Sequence, residues 1–330
     1  MDIQQIIAQK GYVDVPVNKN IDLVSEIKRL KQQKNAVILA HYYTEPEVQD
    51  IADFVGDSLE LSKKAANTDA EIILFAGVHF MAETAKILSP TKKVLIPDKR
   101  SGCPLADSLT ANKLQQLKKQ YPEHVVVVYV NTTAEVKAMS DITCTSSNAV
   151  AIVDSLPDDA QIIFGPDRNL GTYVKGLTGR DMVIWDGFCP VHQAFSLKKL
   201  EELKQKYPDA KLVVHPESDK KLVLKADFIG STSQIINFVK TSDAQHIIVA
   251  TEPGIIHKMQ QVAPDKVYIP MPTDEADESI CKDMKKNDLR KIYLALKYEA
   301  PEVVLSEEII EKAYKPIWRM LEISKQLKLI

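Results

Sequence analysis

The sequence has 330 residues, and its 45% hydrophobic content is enough for a sizeable buried core and, by length alone, about two domains. The 42 Lys and Arg residues against 45 Asp and Glu give a net charge of −3, which excludes the strong positive field of nucleic-acid and anionic-lipid binders. We expect a cytoplasmic protein, because no secretory signal pattern opens the chain and no apolar run reaches the roughly 20 residues that cross a bilayer.

The first predicted elements run in the order helix, strand, short strand, helix and strand. The helical pattern covers Ile21–Lys31, and the two main apolar runs are Ala36–Ala40 and Ile72–Gly77. Between these runs the chain passes Asp53 and the turn Gly56-Asp57-Ser58. Short apolar runs that alternate with amphipathic helices are typical of parallel strands covered by helices.

The same order of signals recurs twice along the chain. The second set is Ala111–Gln120, Val125–Val130 and Ile162–Gly165, and the third is Leu197–Lys206, Leu212–Val214 and Ile247–Thr251. Taking the aspartates Asp53, Asp141 and Asp227 as markers, the spacings are 88 and 86 residues. This repeat predicts an α/β protein of three pseudo-threefold-related α/β/α domains, each with a small parallel sheet, around a central active site.

We place the three domains at residues 1–103, 104–190 and 191–284. Beyond them, Leu289–Lys297 and Ser306–Leu329 are expected to be helices, with Ser306 as an N-cap. We expect this tail, residues 285–330, to pack back on the first domain. Pro316 should kink or split the last helix, because proline removes a backbone hydrogen bond.

Polar residues follow the first strand of each repeat, where ligands of parallel sheets bind. They are His41, Tyr43, Tyr129, Asn131, His215 and Glu217. Each repeat continues into a polar turn at a helix start, which contributes the hydroxyl residues Ser58, Ser146, Ser231 and Thr232. A single hydroxyl there is usually a cap and nothing more. Because it recurs three times, the pattern favours a shared site for carboxylates or phosphate, which helix N-termini bind well.

Three of the four cysteines follow the same period. Cys103, Cys189 and Cys281 are separated by 86 and 92 residues, whereas Cys144 falls inside a repeat. An isolated cysteine is usually a small buried apolar residue, but three at the repeat period indicate thiolates that converge on one metal site. Structural zinc prefers four ligands in local pairs, which are missing. A [4Fe–4S] cluster with three cysteine ligands would leave one iron open as a Lewis acid.

Several motifs together resemble those of the quinolinate synthase family, from about Ala36 to Met284. They are His41-Tyr42-Tyr43, Gly56-Asp57-Ser58-Leu59, Gly77-Val78-His79-Phe80-Met81-Ala82-Glu83, Gly102-Cys103-Pro104, Tyr129-Val130-Asn131-Thr132, Gly165-Pro166-Asp167-Arg168-Asn169-Leu170-Gly171, His215-Pro216-Glu217 and Gly230-Ser231-Thr232. The resemblance implies an iron–sulfur enzyme of NAD biosynthesis. Such an enzyme condenses iminoaspartate with dihydroxyacetone phosphate to quinolinate, with loss of phosphate and two waters.

The resemblance also implies roles for individual residues. The ligands of a [4Fe–4S] cluster would be Cys103, Cys189 and Cys281. Substrate contacts would fall on His41, Ser58, Tyr129, Asn131, Ser146, His215, Glu217, Ser231 and Thr232. Glu217, with His215 beside it, is the expected proton-transfer group, and Tyr43 and His192 are further candidates. Tyr43 is equally well explained as a hydrogen-bonding wall of the site.

The resemblance also implies binding partners, and three other functions are alternatives to it. Iminoaspartate and dihydroxyacetone phosphate are the expected small-molecule partners, the oxidase that produces iminoaspartate is a protein partner, and neither nucleic acid nor membrane is expected. A hydro-lyase acting in the manner of aconitase would use the same open iron but leave the phosphate anchors idle. An iron–sulfur sensor should carry a DNA-binding element, and a periplasmic-type binder should carry an export signal. Neither pattern is visible in the sequence, which disfavours both alternatives.

Overall fold

The computed structural model describes residues 2–329, and the first third of the chain forms one α/β unit. Its strands are β1 (Ala36–His41), β2 (Phe54–Gly56), β3 (Ile72–Ala76) and β4 (Lys93–Leu95). Its helices are α1 (Ile3–Lys10), α2 (Leu23–Gln33), α3 (Pro46–Ile51), α4 (Ser58–Ala66) and α5 (His79–Leu88). The strands pair in the order β2-β1-β3-β4, and every pair is parallel.

The second unit repeats this arrangement. Its strands are β5 (Val125–Tyr129), β6 (Ile142–Cys144), β7 (Ile162–Gly165) and β8 (Met182–Ile184). Its helices are α6 (Pro104–Ser108), α7 (Ala111–Gln120), α8 (Ala134–Ala138), α9 (Ala149–Asp154) and α10 (Arg168–Thr178). The strand order is β6-β5-β7-β8, again all parallel.

The third unit has the same topology. Its strands are β9 (Lys211–Val214), β10 (Phe228–Ile229), β11 (His246–Ala250) and β12 (Val267–Pro270). Its helices are α11 (Pro190–Gln193), α12 (Leu197–Lys206), α13 (Lys220–Val223), α14 (Thr232–Thr241) and α15 (Ile255–Val262). With the order β10-β9-β11-β12, this third parallel sheet confirms the predicted α/β class with three related sheets. The domain boundaries stay a prediction, and Met1 and Ile330 lie outside the described residues.

The repeated aspartates have a structural role in each sheet. The carboxylates of Asp53, Asp141 and Asp227 accept hydrogen bonds from backbone N–H groups of the first strand, at 2.7, 2.7 and 2.8 Å. The aspartates' own N–H groups donate to carbonyls of the same strand. Each aspartate therefore fixes the short second strand beside the first, which explains its recurrence without a role in chemistry.

The register of the sheets also explains the cysteine that breaks the series. His41 of β1 pairs with Gly56 of β2, and Tyr129 of β5 pairs with Cys144 of β6. Cys144 thus occupies the position that glycine holds in the first unit, and it is fully buried. It behaves as a small apolar core residue of the kind free cysteine often is.

The C-terminal helices pack on two different units. Helix α16 (Leu289–Tyr298) lies against α2 and β3 of the first unit. Helix α17 (Glu307–Gln326) lies mainly against α8 and β6 of the second unit and also touches α5. The last helix therefore differs from the expectation that the whole tail packs on the first domain.

The last helix also runs past its proline. Glu307–Gln326 is one helix, so the expectation that Pro316 would split it is wrong. Ala313, Pro316 and Ile317 are buried against the second unit, and the Thr143 hydroxyl donates to the Pro316 carbonyl at 3.3 Å. Tertiary packing offsets the backbone hydrogen bond that proline removes.

The apolar core joins the three units. One cluster contains Leu39 of β1, Val127 of β5 and Val249 of β11, so neighbouring units are packed together around a common interior. Among the described residues, none of the helices combines the length and the apolar character needed to cross a membrane.

Candidate active site

The three units enclose one central cavity of about 330 Å³. Most of the residues predicted for the site line it. They are His41, Tyr43, Ser58, Cys103, Tyr129, Asn131, Ser146, Cys189, His192, His215, Glu217, Thr232 and Cys281. The cause is topological, since the carboxyl ends of the parallel strands in each unit deliver the following residues to the same edge. Polar residues that sequence reasoning did not select, among them Asp57 and Glu252, line it as well.

The three cysteines on the cavity share a local backbone geometry. Cys103 and Cys189 are the N-cap residues of the short helices α6 and α11, each of which begins with proline. Cys281 precedes a 3-10 turn at Met284–Lys286. Backbone N–H groups two or three residues further on approach each sulfur; they belong to Leu105, Ala106, His192, Asp283 and Met284. Such N–H groups stabilise negative charge on sulfur.

Burial raises the pKa of all three thiols. It raises the pKa of Cys103 to about 12 and that of Cys281 to about 11, and it raises the pKa of Cys189 well above its ordinary value. The charge of Cys281 adds to the rise at Cys103, and the charges of Glu217, Cys103 and Cys281 add to the rise at Cys189. A metal group must therefore displace protons from these thiols to bind. Three buried sulfur donors on one cavity fit a metal group with three thiolate ligands.

Glu217 lies at the centre of a hydrogen-bond network next to Cys189. The Tyr129 hydroxyl donates to its Oε1 at 2.5 Å, and His192 Nδ1 lies 3.1 Å from its Oε2. Burial alone would raise the pKa of Glu217, but His215, His192 and the Tyr129 hydroxyl lower it to about 2. Glu217 is therefore an ionised, fully buried carboxylate within reach of a bound ligand.

A threonine links Tyr43 to this network. The Tyr43 hydroxyl lies 2.6 Å from Thr251 Oγ1, and Thr251 Oγ1 lies 2.9 Å from His192 Nε2. Burial raises the pKa of Tyr43 well above its usual range, so the phenol stays protonated. Sequence reasoning missed Thr251, although its place directly after β11 was a signal of the kind used for the other strand ends.

His41 and His215 occupy equivalent positions after the first strands of their units. Nδ1 of each ring accepts the backbone N–H of the residue two further on, at 3.2 and 3.4 Å. Burial lowers the pKa of His41 to about 4 and that of His215 to about 3. Both imidazoles are therefore neutral, with the proton on Nε2, and are suited to donate hydrogen bonds.

The predicted helix-start hydroxyls divide into two groups. Ser58 and Thr232 are the first residues of α4 and α14 and line the cavity with Ser146, which lies in the turn before α9. Ser231, in contrast, is not among the described residues that line the cavity. It is the N-cap of α14, and its hydroxyl donates to Asp57 at 3.3 Å.

Asp57 joins the helix starts of all three units. Its Oδ1 accepts the N–H groups of Leu59 and Glu60 as the cap of α4. Its Oδ2 accepts hydroxyl groups of Ser147 at 2.7 Å and Ser233 at 2.5 Å, which belong to the second and third units. One carboxylate therefore holds in register the three polar turns that the sequence predicted to converge.

Two further contacts bear on ligand binding. Asn131 Oδ1 is buried and has no hydrogen-bond partner among the described residues, which leaves an acceptor for a ligand at the cavity wall. Donor atoms of Cys189, His192 and Glu217 all lie within 4.8 Å of one another. The groups predicted to bind metal and to transfer protons thus lie close together.

Comparisons with known proteins point to one protein family. A family model described as NadA, quinolinate synthetase A protein, matches residues 25–322. A quinolinate synthase of Synechocystis sp. is 54% identical over 304 residues, which cover 92% of this chain and 96% of that protein. One of Gloeothece citriformis is 53% identical over 313 residues, covering 94% and 97%. One of Chloroherpeton thalassium is 50% identical over 313 residues, with the same coverage.

These matches span nearly the whole chain and nearly the whole of each relative. They favour the predicted synthase over the hydro-lyase, sensor and binding-protein alternatives, since every one of these relatives is named a quinolinate synthase. The chain belongs to the quinolinate synthase family.

Proposed function

We propose that the central cavity is the active site of a quinolinate synthase that uses a [4Fe–4S] cluster held by Cys103, Cys189 and Cys281. Its substrates are iminoaspartate and dihydroxyacetone phosphate, and its products are quinolinate, phosphate and two waters, in de novo NAD biosynthesis. The observation that carries the proposal is the meeting of one cysteine from each repeat with Glu217, two neutral histidines and three hydroxyls on a single cavity. An oxidase that produces iminoaspartate is the proposed upstream partner.

A [4Fe–4S] cluster with three thiolate ligands supplies one iron that is free to act as a Lewis acid toward a substrate oxygen. The chain contributes the three thiolates and the N–H groups that approach them.

The polar side of the cavity binds the anionic ends of the substrates. Ser58 and Thr232 stand at the first positions of α4 and α14 and line the cavity, where their hydroxyl groups can donate hydrogen bonds to carboxylate or phosphate. His41 and His215 present Nε2–H donors, and His215 Nε2 lies 3.2 Å from Ser146 Oγ. These uncharged donors bind oxyanions without forming salt bridges. Asn131 adds an acceptor, its unpartnered Oδ1, for a donor group of the ligand.

Glu217 is the proposed proton-transfer group. With a pKa of about 2 it is a weak base in the free protein. Substrate carboxylates and phosphate bring negative charge close to it, which raises its proton affinity toward the range useful for catalysis. Tyr129 and His192 hold its two oxygens, and Thr251 continues the path to the Tyr43 hydroxyl.

Cysteine replacement tests the ligand set. Each of Cys103→Ala, Cys189→Ala and Cys281→Ala is purified and reconstituted without oxygen, and iron and sulfide are counted per chain. We expect each to lose the cluster, whereas Cys144→Ala, the matched control in the core, keeps it. A cluster that survives in Cys189→Ala but is lost in Cys144→Ala would contradict the assignment.

A further inference from the structure

Two fully buried carboxylates stand at equivalent positions in the second and third units. Gly165 of β7 pairs with Val128, and Ala250 of β11 pairs with Val214, so Gly165 and Ala250 correspond. Two residues further on lie Asp167 and Glu252, and both side chains have no exposed surface. The repeated topology thus brings an acidic residue to the same place twice, beside the turn that carries each unit's cysteine.

Each carboxylate binds the backbone of that cysteine. Asp167 Oδ2 accepts the N–H group of Cys189 at 3.2 Å, and its Oδ1 accepts that of Leu170 at 2.7 Å. Glu252 Oε1 accepts the N–H group of Cys281 at 3.3 Å, and its Oε2 accepts that of Gly254 at 2.7 Å. In both cases one oxygen fixes the cysteine and the other anchors the carboxylate to its own strand end.

In the first unit, a comparable contact comes from a carboxylate of the third unit. Val78, two residues after Ala76, occupies the equivalent position and offers no acceptor. Asp283, two residues after Cys281, accepts instead the N–H group of Gly102 next to Cys103, at 3.2 Å. The turn of the third cysteine therefore also supports the turn of the first.

We propose that Glu252 and Asp167 are positioning residues that fix the backbones of Cys281 and Cys189 for metal binding. This inference rests on the proposed function, because it assigns these residues to the geometry of the same cysteine site. Neither carboxylate needs to touch substrate for this role.

Glu252 should matter more than Asp167, because the turn of Cys281 has less local support. Cys189 begins a helix with proline at its first position, whereas Cys281 lies in the long irregular segment between β12 and α16. Lys285 binds Glu252 Oε1 through Nζ at 3.2 Å and donates its backbone N–H to the Cys281 carbonyl at 3.2 Å. Glu252 and Lys285 thus hold the Cys281 turn from both ends.

The test compares Glu252→Gln and Asp167→Asn with Glu83→Gln. Glu83 is a matched control: it is buried, accepts one backbone N–H from Ala134 at 3.0 Å, and lies close to Lys137, but it binds no cysteine backbone. The first readout is the alkylation rate of each cysteine by iodoacetamide in metal-free protein, followed by mass spectrometry. The second is the rate of iron loss to a chelator after reconstitution.

In Glu252→Gln we expect Cys281 to be alkylated about tenfold faster and iron to be lost about tenfold faster. The reason is that the glutamine amide cannot accept hydrogen bonds from both backbone N–H groups and also bind the Lys285 ammonium group. Cys103 alkylation should change by less than about threefold, because Cys103 also begins α6, which has proline at its first position. Asp167→Asn should raise Cys189 alkylation by about threefold. Glu83→Gln should leave all three rates unchanged.

Three outcomes separate the inference from the proposed function. If the unaltered protein takes up no iron on reconstitution, the proposed function fails. If it takes up iron and Glu252→Gln matches Glu83→Gln in both readouts, the positioning role is refuted and the proposed function stands. If thermal unfolding shows that Glu252→Gln does not fold, Lys285→Gln is tested in its place. We expect Cys281 to be alkylated about threefold faster in Lys285→Gln. An unchanged alkylation rate of Cys281 in Lys285→Gln would also refute the positioning role.

Discussion

The cysteine side and the polar side of the cavity are built in different ways. The cysteines lie on turns after the fourth strands, and their positions depend on buried carboxylates and, for Cys281, on an irregular segment. The polar residues follow the first strands directly or begin helices, so sheet register and caps fix them. The cysteine side is thus held by a few specific contacts, and the polar side by the framework itself.

This difference predicts that the two sides can be damaged separately. Changes on the polar side should slow turnover or weaken substrate binding while iron content stays the same. Changes on the cysteine side should lower iron content first, with activity lost as a consequence. Measuring iron and kinetics on the same samples distinguishes the two.

The largest effect on the polar side should come from Glu217→Gln. The amide keeps the shape of the side chain but cannot take a proton, so we expect kcat to fall about a thousandfold. Iron per chain should equal that of the unaltered protein. A Glu217→Gln enzyme that retains its cluster and most of its turnover would rule out the proton-transfer role.

A smaller effect is expected for Asp57→Asn. Loss of the charge weakens the hydrogen bonds that join the polar turns of three units, so the free energy of unfolding should fall by about 1–3 kcal/mol and KM should rise about tenfold. Asp22→Asn is the control, since Asp22 caps α2 but binds within its own helix start. An unchanged KM in Asp57→Asn, together with an unaltered midpoint of thermal unfolding, would show that Asp57 does not organise the site.

Tyr43→Phe decides between the two interpretations of this residue. If its hydroxyl transfers a proton through Thr251, kcat falls about tenfold or more, and Thr251→Val has the same effect. If Tyr43 is a wall residue, kcat changes by less than about threefold and any change appears in KM. Tyr42→Phe is the control, because Tyr42 bonds Glu60 at 3.2 Å and is not among the described residues that line the cavity.

The last expected effect is a pH dependence of stability in metal-free protein. The folded-state pKa values of His41 and His215, about 4 and about 3, lie below the ordinary value of 6.5. The unfolded chain therefore binds more protons, and stability falls as pH decreases from 6.5 toward 4, by up to about 1.4 kcal/mol per pH unit for each histidine. Denaturant unfolding at pH 7 and pH 5 should show a smaller decrease in the free energy of unfolding for His41→Gln than for the unaltered protein. An equal decrease would mean that His41 is not a cause of the pH dependence.

Much of the fold followed from local patterns in the chain. Helices such as Ala111–Gln120 and Leu197–Lys206 and the strand Ile162–Gly165 were predicted with their observed ends, because apolar periodicity and caps act locally. The split at Pro316 was wrong because the packing of α17 on the second unit is a long-range effect.

The site was predictable where a residue stands at a strand end and not where contacts cross units. The cysteines and Glu217 were found through the repeat and the resemblance. Thr251, Asp57 and Glu252 were missed, because their roles arise from partners up to 208 residues away in sequence, as in the bond between Tyr43 and Thr251. Ser231 was assigned to the substrate because its hydroxyl stands beside Thr232, but it faces Asp57.

The most direct test of the central claim is anomalous diffraction at the iron edge from crystals grown without oxygen. We predict iron density bonded to the sulfurs of Cys103, Cys189 and Cys281, with one iron that has no protein ligand. A single ion bound by Cys189, His192 and Glu217, or iron that leaves any of the three cysteines unbound, would contradict the account.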